Sequence, residues 1–156
     1  MNTKIDLYNG DCLEVMKDIP DKSVDCVIAD PPYNISRETN FHTLKGGSRV
    51  GMDFGEWDKD FDLTEWISHI PRVLKDNSNV VIFSAWENLG DIKRACEQNN
   101  ITVKRCLTLR KSNPAPFNRD RLFVNDTEFA VWGIYNSKTS LLNGLLIDKA
   151  IMKELL

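Results

Sequence analysis

The sequence predicts an α/β fold, a mostly parallel sheet flanked by helices. Two observations carry that reading. Short apolar runs alternate with amphipathic stretches in the order strand, helix, strand, helix, strand. The run "SVDCVIAD" is continuously apolar at its centre instead of alternating, the pattern of a strand buried on both faces in a parallel sheet. At 156 residues the chain accommodates one domain around one core.

Each element follows from local chemistry. "KIDLYNGD" reads as a short strand ending in a Gly turn. Asp11 then caps a helix over 12–17, with Glu14 completing a capping box and Pro20 closing the segment. "SVDCVIAD" is the second strand. Residues 34–60 hold Gly46, Gly47, Gly51 and Gly55 with little periodicity, a long loop of the functional or disordered kind. A helix is expected over 63–74, capped by Asp62 with Glu65. Leu63, Trp66, Ile67, Ile70, Val73 and Leu74 share its inner face, and Pro71 bends or ends it early. "NVVIFSAW" is a third strand, and "LGDIKRACEQNN" a helix with Leu89, Ile92 and Cys96 inward. "ITVKRCLTLRK" and "TEFAVWGIY" are the fourth and fifth strands, joined by the loop "SNPAPFNRDR". The tail 137–156 reads as a divergent helical segment that either closes the sheet or binds a partner.

Composition narrows the function classes. Hydrophobic residues make up 42% and charged residues 28%, ordinary for a globular domain. The net charge of −3 gives no global field toward nucleic acid or membrane, so any such contact is local. No apolar signal region opens the sequence, and no run approaches the ~20 residues of a membrane span. Cys12, Cys26, Cys96 and Cys106 form no CxxC pair, and His42 and His69 lie outside any ligand spacing. Reduced thiols in a cytoplasmic protein without a metal site are therefore expected.

Asp30-Pro31-Pro32-Tyr33 stands at the carboxyl end of the second strand, where open α/β sheets bind ligands. The prolines lack N–H groups and fix φ, so the backbone is stiff and its carbonyls are not consumed by a ladder. A carboxylate, a rigid carbonyl and an aromatic face converge there. They suit a flat molecule with an exocyclic amino group: Asp30 accepts one N–H, the Pro31 carbonyl the other, and Tyr33 stacks. Two fixed acceptors favour a pyramidal, nucleophilic nitrogen and stabilise the positive charge that develops on it. A Pro-Pro turn with an acidic helix cap is the plain structural alternative; the apolar strand before it, with Tyr33 and Asn34 after it, argues against that.

The block "NGDCLEVMKDIPDKSVDCVIADPPYN", followed in order by "TLKGGSRVGMDFGEWDKDF", "NPAP" and "DTEFAVW", resembles the β-class amino methyltransferases of DNA. These are mostly adenine-N6 enzymes of restriction–modification systems, bacterial or phage in type. The resemblance covers about residues 4–136 and implies a partial Rossmann-like fold dependent on S-adenosylmethionine, with residues 1–136 as one catalytic-motif region. It implies that Asp30, Pro31, Pro32 and Tyr33 form the catalytic motif. It also implies that Asp11 and Asp30 approach S-adenosylmethionine, with simple helix capping as the other reading of Asp11. Asp at position 30 favours adenine N6 over cytosine N4 as acceptor, and a protein or RNA methyltransferase would show Asn there.

Methylating a paired base requires flipping it from the duplex, so double-stranded DNA is the implied partner. Lys104, Arg105, Arg110, Lys111, Arg119 and Arg121 stand against the single acid Asp120, the best sequence candidate for a DNA-facing edge. Asn113 in "NPAP" joins them by position. Arg37, Lys45 and Arg49 form a weaker patch, and Trp57 reads as a packing anchor. The family's glycine-rich "FxGxG" cofactor turn and its "HPTQKP" block do not follow in residues 100–156. On the family's strand order, the strand ending at Asp30 would then lose a neighbour and present an apolar edge. Three outcomes follow: the first two strands pair directly, a second chain or another copy completes the sheet, or the chain is an inactive remnant that binds DNA or a partner.

Overall fold

The computed structural model describes residues 4–34, 40–42, 48–50, 61–114 and 125–137. In chain order these form α1 (Cys12–Val15), β1 (Val24–Ala29), β2 (Asn40–His42), β3 (Ser48–Val50), α2 (Ile70–Val73), β4 (Leu74–Ser84), α3 (Leu89–Gln98), β5 (Ile101–Arg110) and β6 (Thr127–Tyr135). Short 3-10 turns follow α1 (Met16–Asp18), precede α2 (Glu65–Ser68) and join β4 to α3 (Trp86–Asn88).

The main sheet runs β1-β4-β6-β5. β1 and β4 are parallel, while β6 is antiparallel to both of its neighbours. The sheet is therefore mixed where a mostly parallel one was expected. A continuous apolar run carries no information about strand direction. The chain leaves β5 at one end of the sheet and re-enters β6 at that same end, which makes the pair antiparallel. β1, β4 and β5 consequently point the same way. Their carboxyl ends and the start of β6 share one edge of the sheet.

The main hydrophobic cluster lies on one face of this sheet, with Val81, Ala130 and Ile134 buried on the other. Registers Val27↔Val80 and Ala29↔Ile82↔Val131 align the inward side chains of β1, β4 and β6. Against them pack Trp66, Ile67 and Ile70 from the segment before β4, and Ile92 and Cys96 from α3. Each fully buried aliphatic side chain contributes about 1.5–3 kcal/mol relative to exposure. Burial also pushes the Cys96 thiol up to about 12, so it behaves as an apolar filler. All four cysteines are free.

The expected helix over 63–74 is broken into the Glu65–Ser68 turn and the single α-turn Ile70–Val73, and Leu74 already belongs to β4. Pro71 has no N–H to give a preceding turn, so it sits in the first turn of a new helix. Most of the expected inner face is kept: Trp66, Ile67, Ile70, Val73 and Leu74 are buried, while Leu63 is half-buried ahead of the turn. Asp62 caps as expected, accepting from the amides of Thr64 (2.8 Å) and Glu65 (3.0 Å). The Thr64 bonds, above all, hold its carboxyl below the ordinary range. α3 matches its expected extent and ends at Asn99–Asn100, with Asn100 at φ 58°.

Two further expectations are corrected. Residues 4–9 form no strand, and Leu7 is 92% exposed. A strand needs a neighbour to take its amides and carbonyls, and among the described residues β4 is the only partner of β1 in the main sheet. The first two expected strands therefore do not pair. Among the described residues β1 is an edge strand, none of its residues is fully buried and Ile28 is 59% exposed, so the burial on both faces expected of it is not met. Within 34–60, β2 and β3 pair as a short antiparallel ribbon that weak periodicity did not announce. The tail expectation falls on 138–156, outside the described residues. Among the described residues no helix is long and apolar enough to cross a membrane.

Candidate active site

β1 ends at Ala29, opposite Ile82 of β4. The chain then leaves the ladder at Asp30, because Pro31 and Pro32 cannot donate to it. The resulting turn sits at the carboxyl edge of the parallel pair, beside the end of β4. Asp30 is exposed, while Pro31, Pro32 and Tyr33 are half-buried.

Three attachments fix this turn. The Tyr33 hydroxyl donates to Asp30 Oδ1. The Tyr33 carbonyl accepts from Asn88 Nδ2 at 2.7 Å, and the same nitrogen lies 3.2 Å from Oγ of buried Ser84. Asn34, at φ 54°, clamps the far side. Its Nδ2 donates to the Phe61 carbonyl (2.6 Å), and its Oδ1 accepts from the Phe61 amide (3.0 Å). An asparagine adopts this left-handed conformation more readily than most residues, so the clamp comes with the turn.

Burial and the hydrogen bond to Asp30 push the Tyr33 phenol well above its ordinary range, with the charges of Asp30 and Glu128 acting in the same sense. Glu128 enters from the start of β6, on the shared edge. It is ion-paired with Lys111 Nζ. Next to it, Arg110 Nε contacts Asp126 Oδ2 at 3.0 Å. The Thr127 hydroxyl, then Arg110, hold the Asp126 carboxyl low.

Arg110 and Lys111 of the expected basic patch are thus paired with acids, while Lys104 and Arg105 lie within β5. Sequence proximity counted only the acids between 104 and 121, whereas β6 brings Asp126 and Glu128 alongside from across the ladder. Arg110, Lys111 and exposed Asn113 do stand at the same sheet edge as Asp30–Tyr33. Arg119 and Arg121 lie outside the described residues. Arg49 lies in β3, described here by its backbone pairing with Phe41. Asp11 caps α1, its Oδ1 accepting from the Leu13 amide at 2.8 Å, while Glu14 pairs with Lys17. Ser84, Asn88 and Glu128 stand by this turn but were not expected there. Asn88 carried a faint signal: it occupies the N-cap position of α3 yet makes no capping bond, and reaches Tyr33 instead.

The fold is a Rossmann-like methyltransferase architecture, and the Asp30–Tyr33 turn stands at the carboxyl ends of β1 and β4. The chain belongs to the DNA methylase family of N6 and N4 type, whose family model matches residues 24–153. It is 32% identical over 142 residues to Type II methyltransferase M2.DpnII of Streptococcus pneumoniae, covering 86% of this chain and 52% of that protein. To Type II methyltransferase M2.MboI of Moraxella bovis it is 30% identical over 139 residues, covering 85% and 50%. The crystal structure of the M1.HpyAVI–SAM complex superposes with a TM-score of 0.61 at 28% identity, covering 83% of this chain and 54% of that one. The chain thus spans about half the length of the curated relatives it matches.

Proposed function

We propose that this chain carries the acceptor-base part of a DNA methyltransferase, which moves a methyl group from S-adenosylmethionine to the N6 amino group of adenine in double-stranded DNA. The observation that carries the reading is the anchored turn Asp30–Tyr33 at the ligand edge of the sheet. On this reading residues 1–136 form one catalytic-motif region. Asp30 accepts one amino N–H, the Pro31 carbonyl accepts the other, and the Tyr33 ring stacks on the base. Fixed acceptors stabilise charge as it develops on the nitrogen, an effect on the order of 3 kcal/mol for a single preorganised group. The surplus proton leaves through the Asp30 side to water.

The methyl donor, when bound, supplies an electrophilic methyl group on a cationic sulfonium. The exposed acid Asp30 at the edge suits that charge, and Asp11 is the further residue proposed to hold the donor. DNA contacts are proposed for Arg49, Arg110, Lys111, Asn113, Arg119 and Arg121. Cytosine N4 is the narrower alternative acceptor. The bacterial relatives support a cytoplasmic, restriction–modification setting.

Among the described residues β1 pairs on one side alone, which supports a second proposal, that another polypeptide completes the sheet. Exposed Ile28 and the unpaired apolar residues Ile5, Leu7 and Tyr8 favour it. A non-catalytic DNA-binding or interaction remnant is the competing class. Calorimetry separates the two: S-adenosylmethionine binding in the micromolar range supports the enzyme, and no heat at millimolar concentrations supports the remnant.

A further inference from the structure

Just past the end of β4 the chain leaves the indole of Trp86 66% exposed. A lone exposed apolar side chain needs no explanation, but the position of this one is unusual. Trp86 opens the turn Trp86–Asn88. The third residue of that turn, Asn88, is the one bonded to the Tyr33 carbonyl and placed beside buried Ser84. The indole therefore rides on a turn pinned to the Asp30–Tyr33 loop. The parallel register of β1 with β4 sets both at the same sheet edge. The other described tryptophans are occupied: Trp66 is buried in the core, and Trp132 Nε1 donates to Asn79 Oδ1 at 3.0 Å.

A large flat ring open to solvent, carried on a turn pinned to the acceptor turn, fits the face of an unstacked nucleobase. Stacking on tryptophan serves any base, because each presents a π-face. We propose that Trp86 is a base-stacking residue of the nucleic-acid site, receiving an unstacked base of the DNA strand next to the acceptor turn. Asn88 holds the turn that carries it. This inference rests on the reading that the substrate is DNA.

Anisotropy with a fluorescein-labelled duplex carrying one extrahelical adenine tests it. Trp86→Ala weakens binding roughly fivefold to a hundredfold, the range of one base–aromatic stack. The unfolding midpoint stays unchanged, because the ring is exposed. Trp86→Phe keeps most of the affinity. With a fluorescent purine in place of the adenine, the wild-type chain quenches the emission and Trp86→Ala does not. If Trp86→Ala binds and quenches like wild type, the Trp86 assignment is overturned and the acceptor-turn reading stands. If the wild-type chain binds no such duplex, the DNA reading fails and the Trp86 assignment falls with it.

Discussion

The phenol of Tyr33 donates to the carboxylate of Asp30 within a single turn. The two side chains proposed to receive a base are thus already joined to each other. An entering amino group either displaces the phenol or uses the second carboxylate oxygen. Asn34 and Asn88 keep the turn in place while that exchange occurs.

The Tyr33 phenol titrates above its unfolded value of about 10. Above that pH the unfolded chain holds fewer protons than the folded one, so the contribution is complete below about pH 10 and fades as pH rises further. Urea unfolding of wild type at pH 9 and pH 11 should therefore show a loss that Tyr33→Phe partly removes. Equal losses in the two proteins would contradict the raised phenol.

Gly133 of β6 has no room for a methyl group. A Cβ there would lie 2.8 Å from Ile101 Cγ2 and 3.1 Å from the Thr102 carbonyl. The backbone oxygen cannot retreat without disturbing the β5–β6 ladder. Gly133→Ala should destabilise by about 1–3 kcal/mol in denaturant unfolding.

Ile28 and Ile82 stand on neighbouring strands with opposite surroundings. Ile82 is fully buried, and Ile82→Ala should cost about 2–5 kcal/mol. Ile28→Lys should stay within about 0.5 kcal/mol. The same Ile28→Lys change should block any chain that pairs with β1, measurable as lost protection of the Val24–Ala29 amides from hydrogen exchange on mixing with the complementary part of a relative.

The pairing of Arg110 with Asp126 predicts an inverse effect on DNA. Asp126→Asn releases the guanidinium, and the log–log salt slope of binding should steepen by about 0.9, one phosphate contact. An unchanged slope would mean that Arg110 does not face DNA.

Much of the fold was legible because its signals are local. The Asp11 and Asp62 caps, the inner face from Trp66 to Leu74, and the strand ending at Asp30 depend on spacing alone. What was not legible depends on partners far along the chain. The strand read into "KIDLYNGD" required a neighbour that no local pattern guarantees. The neutralising of Arg110 and Lys111 required knowing that β6 lies beside β5. Of the site, the Asp30–Tyr33 turn was readable from its prolines, whereas Asn88, more than fifty residues away, became visible only through its bond to the Tyr33 carbonyl.

The central claim is that Asp30 serves the base that is methylated. Transfer of a tritiated methyl group from S-adenosylmethionine to duplex DNA, with the complementary part of a relative added, tests it most directly. The account predicts label in N6-methyladenine with wild type, and none with Asp30→Ala at an unchanged unfolding midpoint. Wild-type rates in Asp30→Ala, or no transfer by the complemented wild type, would contradict it.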